Sequence, residues 1–123
     1  MTDSYSEAFT VKEQDCISEI NSELPSVLGT YILVKWMEIV SARLINKQID
    51  TQKLIIMGKR VDIEHSSMAK EGDEVVIEAT IVEQSKREIL FNVVAMLGDK
   101  EIAKATHVRT LISKKVVSKV MGE

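Results

Sequence analysis

Between residues 27 and 46 the run VLGTYILVKWMEIVSARLIN puts an apolar side chain at almost every angle of a helical wheel, from Val27 and Leu28 through Trp36 and Met37 to Leu44 and Ile45. A helix on a protein surface carries one apolar stripe, whereas a helix apolar all round has to be enclosed by other structure. Lys35, Glu38 and Arg43 interrupt the run well short of the roughly 18–20 apolar residues that a membrane span needs. The pattern therefore predicts a soluble helix wrapped by the rest of the chain. Pro25 fits its first turn, where the missing N–H costs nothing. Glu38 is the odd residue, because carboxylates are rarely buried without a partner or a task.

The remaining pattern has a period of two. Residues 5–12 alternate loosely, with Phe9 and Val11 on one side, and predict a first strand. Residues 13–25 carry acidic and small residues and the only proline, and read as a connection containing a helical turn. After the helix, residues 54–65, 74–84, 88–97 and 100–113 predict four more strands. In the first of these, one parity holds Ile55, Met57, Lys59, Val61, Ile63 and His65, so His65 ends the inward row if no bulge intervenes. Gly72 marks one turn region, Gly98-Asp99 a hairpin, and residues 114–121 a short terminal helix. Short turns imply antiparallel neighbours. A curved antiparallel sheet around one long helix, an α+β architecture, is the natural outcome. One sheet covers only part of a helix, and Leu90, Val94 and Met96 on the second face also want cover, so at least a dimer is expected.

Composition narrows the picture. The chain has 123 residues, enough for one domain, with residues 1–4 frayed and 114–123 as a C-terminal extension. A formal net charge of −3 argues against a nucleic-acid partner, which needs a basic stripe. Cys16 is the only cysteine, so neither a disulfide framework nor a cysteine metal site is expected, and it reads as a small packed hydrophobe. The start, MTDSYSEAF, lacks the basic and apolar segments of a signal peptide, which points to a cytoplasmic protein without a membrane partner.

The segment PSVLGTYILVKWME from Pro25 to Glu38, then Met57-Gly58-Lys59 with His65 seven positions after the glycine, the Gly72 turn, and Thr106-His107-Val108-Arg109 together resemble the hot-dog-fold thioesterases, in particular the fluoroacetyl-CoA thioesterase-like family. The resemblance runs from about Pro25 to Ile112. It implies a helix held in a curved sheet, a homodimer or dimer of dimers with acyl-CoA sites at the dimer interface, and acyl-CoA thioester hydrolysis. No metal or cofactor is implied beyond the coenzyme A of the substrate. By the same resemblance Thr30, Glu38 and His65 take the catalytic positions, and Gly58 lines the acyl pocket. Met57 beside it and Arg109 are further candidates for substrate contact. One stretch departs from the family. Where the fluoroacetyl-specific branch has an aromatic-rich lid, residues 13–24 contain no aromatic side chain, so a different small or medium acyl group is expected.

Each of these residues also has a plainer reading. His65 has the intrinsic pKa for proton transfer near neutrality, or is a hydrogen-bonded strand-end histidine. Glu38 serves as base, nucleophile or orienting partner, or pairs with Lys35 three residues earlier. Thr30 polarises a carbonyl near the helix start, or simply caps. Gly58 makes room for an acyl group, or marks a bulge. Arg109 binds substrate or coenzyme phosphate, or pairs with a carboxylate across an interface. Lys59, Arg60, Lys70, Lys86 and Arg87 are further candidates for phosphate contacts. Eight residues of ideal helix separate Thr30 from Glu38 by about 12 Å along the axis, so the two act on different parts of a substrate or through water, unless the helix is irregular near Gly29. Binding of an acyl thioester without turnover is the alternative function; a hydratase lacks its usual His-containing helix motif here.

Overall fold

The computed structural model describes residues 3–122. The alternating segments form five strands, β1 (Ser4–Thr10), β2 (Leu54–His65), β3 (Glu74–Gln84), β4 (Glu88–Leu97) and β5 (Lys100–Ser113), and the described residues also form two α-helices, α1 (Thr30–Asn46) and α2 (Lys114–Val120). The strands make one antiparallel sheet in the order β1-β3-β4-β5-β2, with β1 and β2 as its edges. β2 to β5 span the residues their alternation predicts. β1 ends earlier than expected, because Lys12 already caps a 3-10 turn over Glu13–Asp15. Of the residues expected to fray, Met1 and Thr2 lie outside the described residues. The Asp3 carbonyl accepts the Ile81 amide, and Ser4 pairs with Thr80.

α1 starts at Thr30, three residues later than the apolar pattern suggests. The Leu28 amide donates to Ala69 at 2.8 Å and the Gly29 amide to Asp15 at 3.0 Å, so both are committed to other segments and stay extended. Pro25 therefore lies ahead of the helix, not in its first turn. The helix is also not enclosed all round. Ile32, Leu33, Trp36, Met37, Val40, Ser41, Leu44 and Ile45 are buried, while Thr30, Tyr31, Lys35, Arg43 and Asn46 are exposed. Phe9 of β1 stacks on Trp36 at 4.8 Å between ring centroids. Under the helix the sheet presents Ala79, Ala95, Ala103 and Ala105 among Val75, Ile77, Phe91 and Val93. The small side chains let the helix lie close to the strands. Extra residues in β2 (Lys59), β3 (Val82) and β5 (Ile102) add the bend that curls the sheet around it.

The connection between β2 and β3 is not a tight turn between neighbours. β2 pairs with β5 and β3 lies between β1 and β4, so residues 66–73 carry the chain across the sheet. This crossover ties several segments together: Ala69 accepts from Leu28, Lys70 bridges to Val27, and the Gly72 amide donates to Val11. Gly72 takes φ 94°, a left-handed conformation that glycine adopts without a steric penalty. The result pins the start of α1 beside the end of β2. Ser113 caps α2, its hydroxyl accepting the Val116 amide. Among the described residues no helix is long and apolar enough to cross a membrane.

Candidate active site

Two contacts fix how β2 lies along the open flank of α1. The last residue of the strand, His65, meets the first residue of the helix, Thr30, with Nδ1 2.8 Å from Oγ1. Gly58, near the other end of the strand, meets Glu38, two turns further along the helix. The strand and helix thus run antiparallel, and Thr30, Val34 and Glu38 form one stripe at four-residue spacing facing this seam. Half-buried Val34, Val61 and Ile63 lie between its polar ends.

At the Thr30 end the groups are accessible. Thr30 is exposed, His65 half-buried, and both line an open cleft of about 820 Å³ with Ile17, Pro25, Val27 and Lys100. The helix's first amide bonds come from Ile32 and Leu33, both to the Gly29 carbonyl, so the Thr30 and Tyr31 amides precede them at the positive end of the dipole. His65 Nε2 is enclosed and has no hydrogen-bond partner among the described residues, so the imidazole is held from one side only.

At the Glu38 end the groups are packed. A Cβ on Gly58 would lie 2.3 Å from Glu38 Oε1, so the carboxylate rests where only glycine leaves space. Glu38 faces Arg109, not Lys35: Oε1 is 3.9 Å from Arg109 Nη1. The carboxylate side chain keeps 43% of its surface, whereas that of Arg109 keeps 10%. Arg109 Nη2 donates to the Ile56 carbonyl at 2.9 Å, and Nη1 lies 3.3 Å from Nε2 of the fully buried His107. His107 Nδ1 is 2.8 Å from the Arg60 carbonyl. Burial lowers the pKa of both His107 and Arg109. For the histidine the bond to Arg60 opposes this and the Arg109 charge adds to it; for the arginine Glu38 opposes it.

The sequence pattern placed Met57 and Val61 on one face of β2, and the structure does not. A register shift between Gly58 and Arg60 inserts Lys59 as an extra residue, which reverses the parity. Ile56 and Gly58 therefore face the helix together with Val61, Ile63 and His65, while Met57 turns outward at 45% exposure. Lys59 pairs with Glu88. Cys16 is fully buried, its thiol pKa raised chiefly by burial. Sequence reasoning missed Lys100 in the cleft and the His107–Arg109 contact. The spacing of 107 and 109 hinted at a shared face, but only the β2–β5 register sets both beside Gly58. Among the described residues no group of three or more His, Cys, Asp or Glu could hold a metal ion.

The sequence profile described as fluoroacetyl-CoA-specific thioesterase matches residues 11–115. No curated protein matches the chain closely enough in sequence to count as a relative. Among solved structures, a fluoroacetyl-CoA thioesterase superposes with a TM-score of 0.85 at 22% identity, covering 98% of this chain and 93% of that one. A hot-dog-like protein from Thermanaerovibrio acidaminovorans gives 0.87 at 14% identity, over 96% and 87% of the two chains. A thioesterase superfamily member from Thermus thermophilus gives 0.86 at 20% identity, again over 96% and 87%. At these identities the structural likeness is one of fold, a hot-dog α+β fold; kinship is carried by the profile match across most of the chain. The chain belongs to the fluoroacetyl-CoA-specific thioesterase family and is an acyl-CoA thioester hydrolase.

Proposed function

We propose that the protein hydrolyses small or medium acyl-CoA thioesters without selectivity for the fluoroacetyl group, and that its working form is a homodimer or dimer of dimers in the cytoplasm. The observation that carries the site assignment is the Thr30–His65 hydrogen bond at the edge of an open cleft, on the same seam as Glu38. The absence of aromatic side chains from residues 13–24 supports the broader acyl range. In this reading His65 Nδ1–H donates to the Thr30 oxygen, and the Thr30 hydroxyl donates to the thioester carbonyl as it gains charge. Donors aimed at such an oxygen contribute about 10²–10³ in turnover each. Glu38 takes a proton from water as the water oxygen attacks the carbonyl carbon. When the C–S bond breaks, the proton passes from Glu38 to the departing thiolate. The fatty or small acid and coenzyme A leave, and no cofactor is consumed.

Glu38 and Thr30 lie two helical turns apart in one chain, which supports a shared site. A two-fold axis crossing the seam near Val34 exchanges its ends and sets one copy's Glu38 opposite the other copy's Thr30–His65 pair. Such an interface is self-complementary. It would also cover the free edge of β2 and the open flank of α1.

Thiol release with a panel of acyl-CoAs tests the activity: turnover of several short and medium acyl groups is expected, with no preference for fluoroacetyl-CoA over acetyl-CoA. Mixing tests the shared site. Thr30→Ala and Glu38→Ala homodimers, each impaired, should recover about a quarter of wild-type activity after subunit exchange, because half the dimers then carry one intact site. No recovery in demonstrated heterodimers would place all three groups in one chain. The same separation favours a second reading, acyl-thioester binding without turnover, for any form that stays monomeric.

A further inference from the structure

His107 is a polar side chain at a fully buried position that the proposed chemistry does not use. It packs beside Phe91, with ring centroids 5.8 Å apart, where a second phenyl ring would satisfy packing equally well. A buried imidazole needs a reason, and its two nitrogens supply one. The Arg60 carbonyl can only accept, so Nδ1, at 2.8 Å, carries the proton. In the neutral ring Nε2 is then a lone pair, and Arg109 Nη1 donates to it at 3.3 Å.

We propose that His107 is a positioning residue for Arg109: anchored to the Arg60 carbonyl at the β2 bulge, its imidazole aims the guanidinium at Glu38 beside Gly58. Two fixed acceptors, the Ile56 carbonyl and His107 Nε2, hold the two ends of the guanidinium fork and leave Nη1 facing Glu38. The bulge takes part as well, since it brings the Arg60 carbonyl to the ring while turning Gly58 toward the helix. Removing the acceptor frees Arg109 to swing, and the carboxylate loses the cation that fixes its direction. The catalytic consequence rests on the acyl-CoA thioesterase reading of this seam; the Arg109 contact does not.

The test combines a double-mutant cycle with a spectroscopic measurement. His107→Phe should lower kcat/KM by about 10- to 100-fold, the weight of one hydrogen bond to a charged group. His107→Gln, whose amide oxygen can accept from Arg109, should recover most of that loss. In an Arg109→Gln background, adding His107→Phe should cost less than about twofold more, because residues acting through one another are not additive. Full additivity, or unchanged turnover in His107→Phe, would overturn the proposal. Nitrogen-15 NMR of the wild-type ring should show protonated Nδ1 and bare Nε2 at neutral pH. An Nε2–H tautomer would overturn it even if a variant fails to fold. A wild-type protein that hydrolyses no acyl-CoA would defeat the functional reading and the catalytic consequence, while the tautomer still decides whether His107 holds Arg109.

Discussion

At the Thr30 end of the seam between α1 and β2, polar groups border an open cleft and meet only because a helix begins where a strand ends. At the Glu38 end they crowd around a guanidinium that is nearly buried, with a buried imidazole behind it and a glycine beneath the carboxylate. The first arrangement can be altered with little consequence for the core, because Thr30 is exposed and His65 half-buried. The second is continuous with the core through His107 and Arg109. Substitutions at the two ends should therefore separate: loss of activity alone at one, loss of activity mixed with loss of stability at the other.

The sharpest separation comes from His65→Ala. Its kcat should fall by about 10²–10³, the weight of one donor aimed at the carbonyl oxygen, because Thr30 loses the bond that orients its hydroxyl, while Tm stays close to wild type. A drop in Tm of more than a few degrees alongside the activity would mean that this end also supports the fold, and the contrast would disappear. Gly58→Ala probes the other end with the smallest possible change. The new methyl meets the far end of a flexible side chain, so Glu38 swings aside and the backbone need not move. Turnover should fall about 10- to 100-fold through the lost orientation of Glu38, together with a stability loss of about 1 kcal/mol, ordinary for a single substitution. Wild-type turnover in Gly58→Ala would separate Glu38 from catalysis.

The strands were legible because alternation survives in one sequence: Val75, Ile77 and Ala79 face in, as do Phe91, Val93 and Ala95, wherever the ladder is regular. α2 was legible for the same reason, through its mild amphipathicity. What failed were features that depend on a second segment. The β2 bulge at Lys59 leaves no mark in the alternation of residues 54–58, and it turned Met57 outward. The late start of α1 depends on Ala69 and Asp15 accepting the Leu28 and Gly29 amides, contacts that hold this stretch extended. The Thr30–His65 pair came from family resemblance, since the crossover that unites the two residues has no local signature. The Glu38–Arg109 pair required the β2–β5 register, which periodicity cannot supply.

The packed end should also carry its own pH signature. Burial lowers the folded pKa of His107, so below the ordinary imidazole range the unfolded chain takes up a proton that the folded one refuses. The stability from this residue is complete above about pH 6.5 and is lost as pH falls from there toward the lowered folded value. The slope can approach about 1.4 kcal/mol per pH unit for one proton. Denaturant titrations between pH 7 and 5.5 should show this decline in wild type and a flatter profile in His107→Gln. Identical slopes would mean that the imidazole titrates alike in both states.

The smallest effect belongs to the open end and concerns Lys100, an exposed residue that starts β5 and lines the cleft with Thr30 and His65. Coenzyme A carries phosphates, and an exposed ammonium beside its path contributes at most about 1 kcal/mol, or roughly fivefold in affinity. Lys100→Ala should therefore raise KM by about two- to fivefold and leave kcat unchanged, and added salt should shrink the difference by screening. Lys59 serves as the control, because its ammonium is paired with Glu88 at the bulge. Lys59→Ala should leave KM near wild type. Equal effects of the two substitutions would show that the cleft attracts coenzyme A by its overall charge and not by a particular lysine, and the open end would then lack a defined route for the substrate.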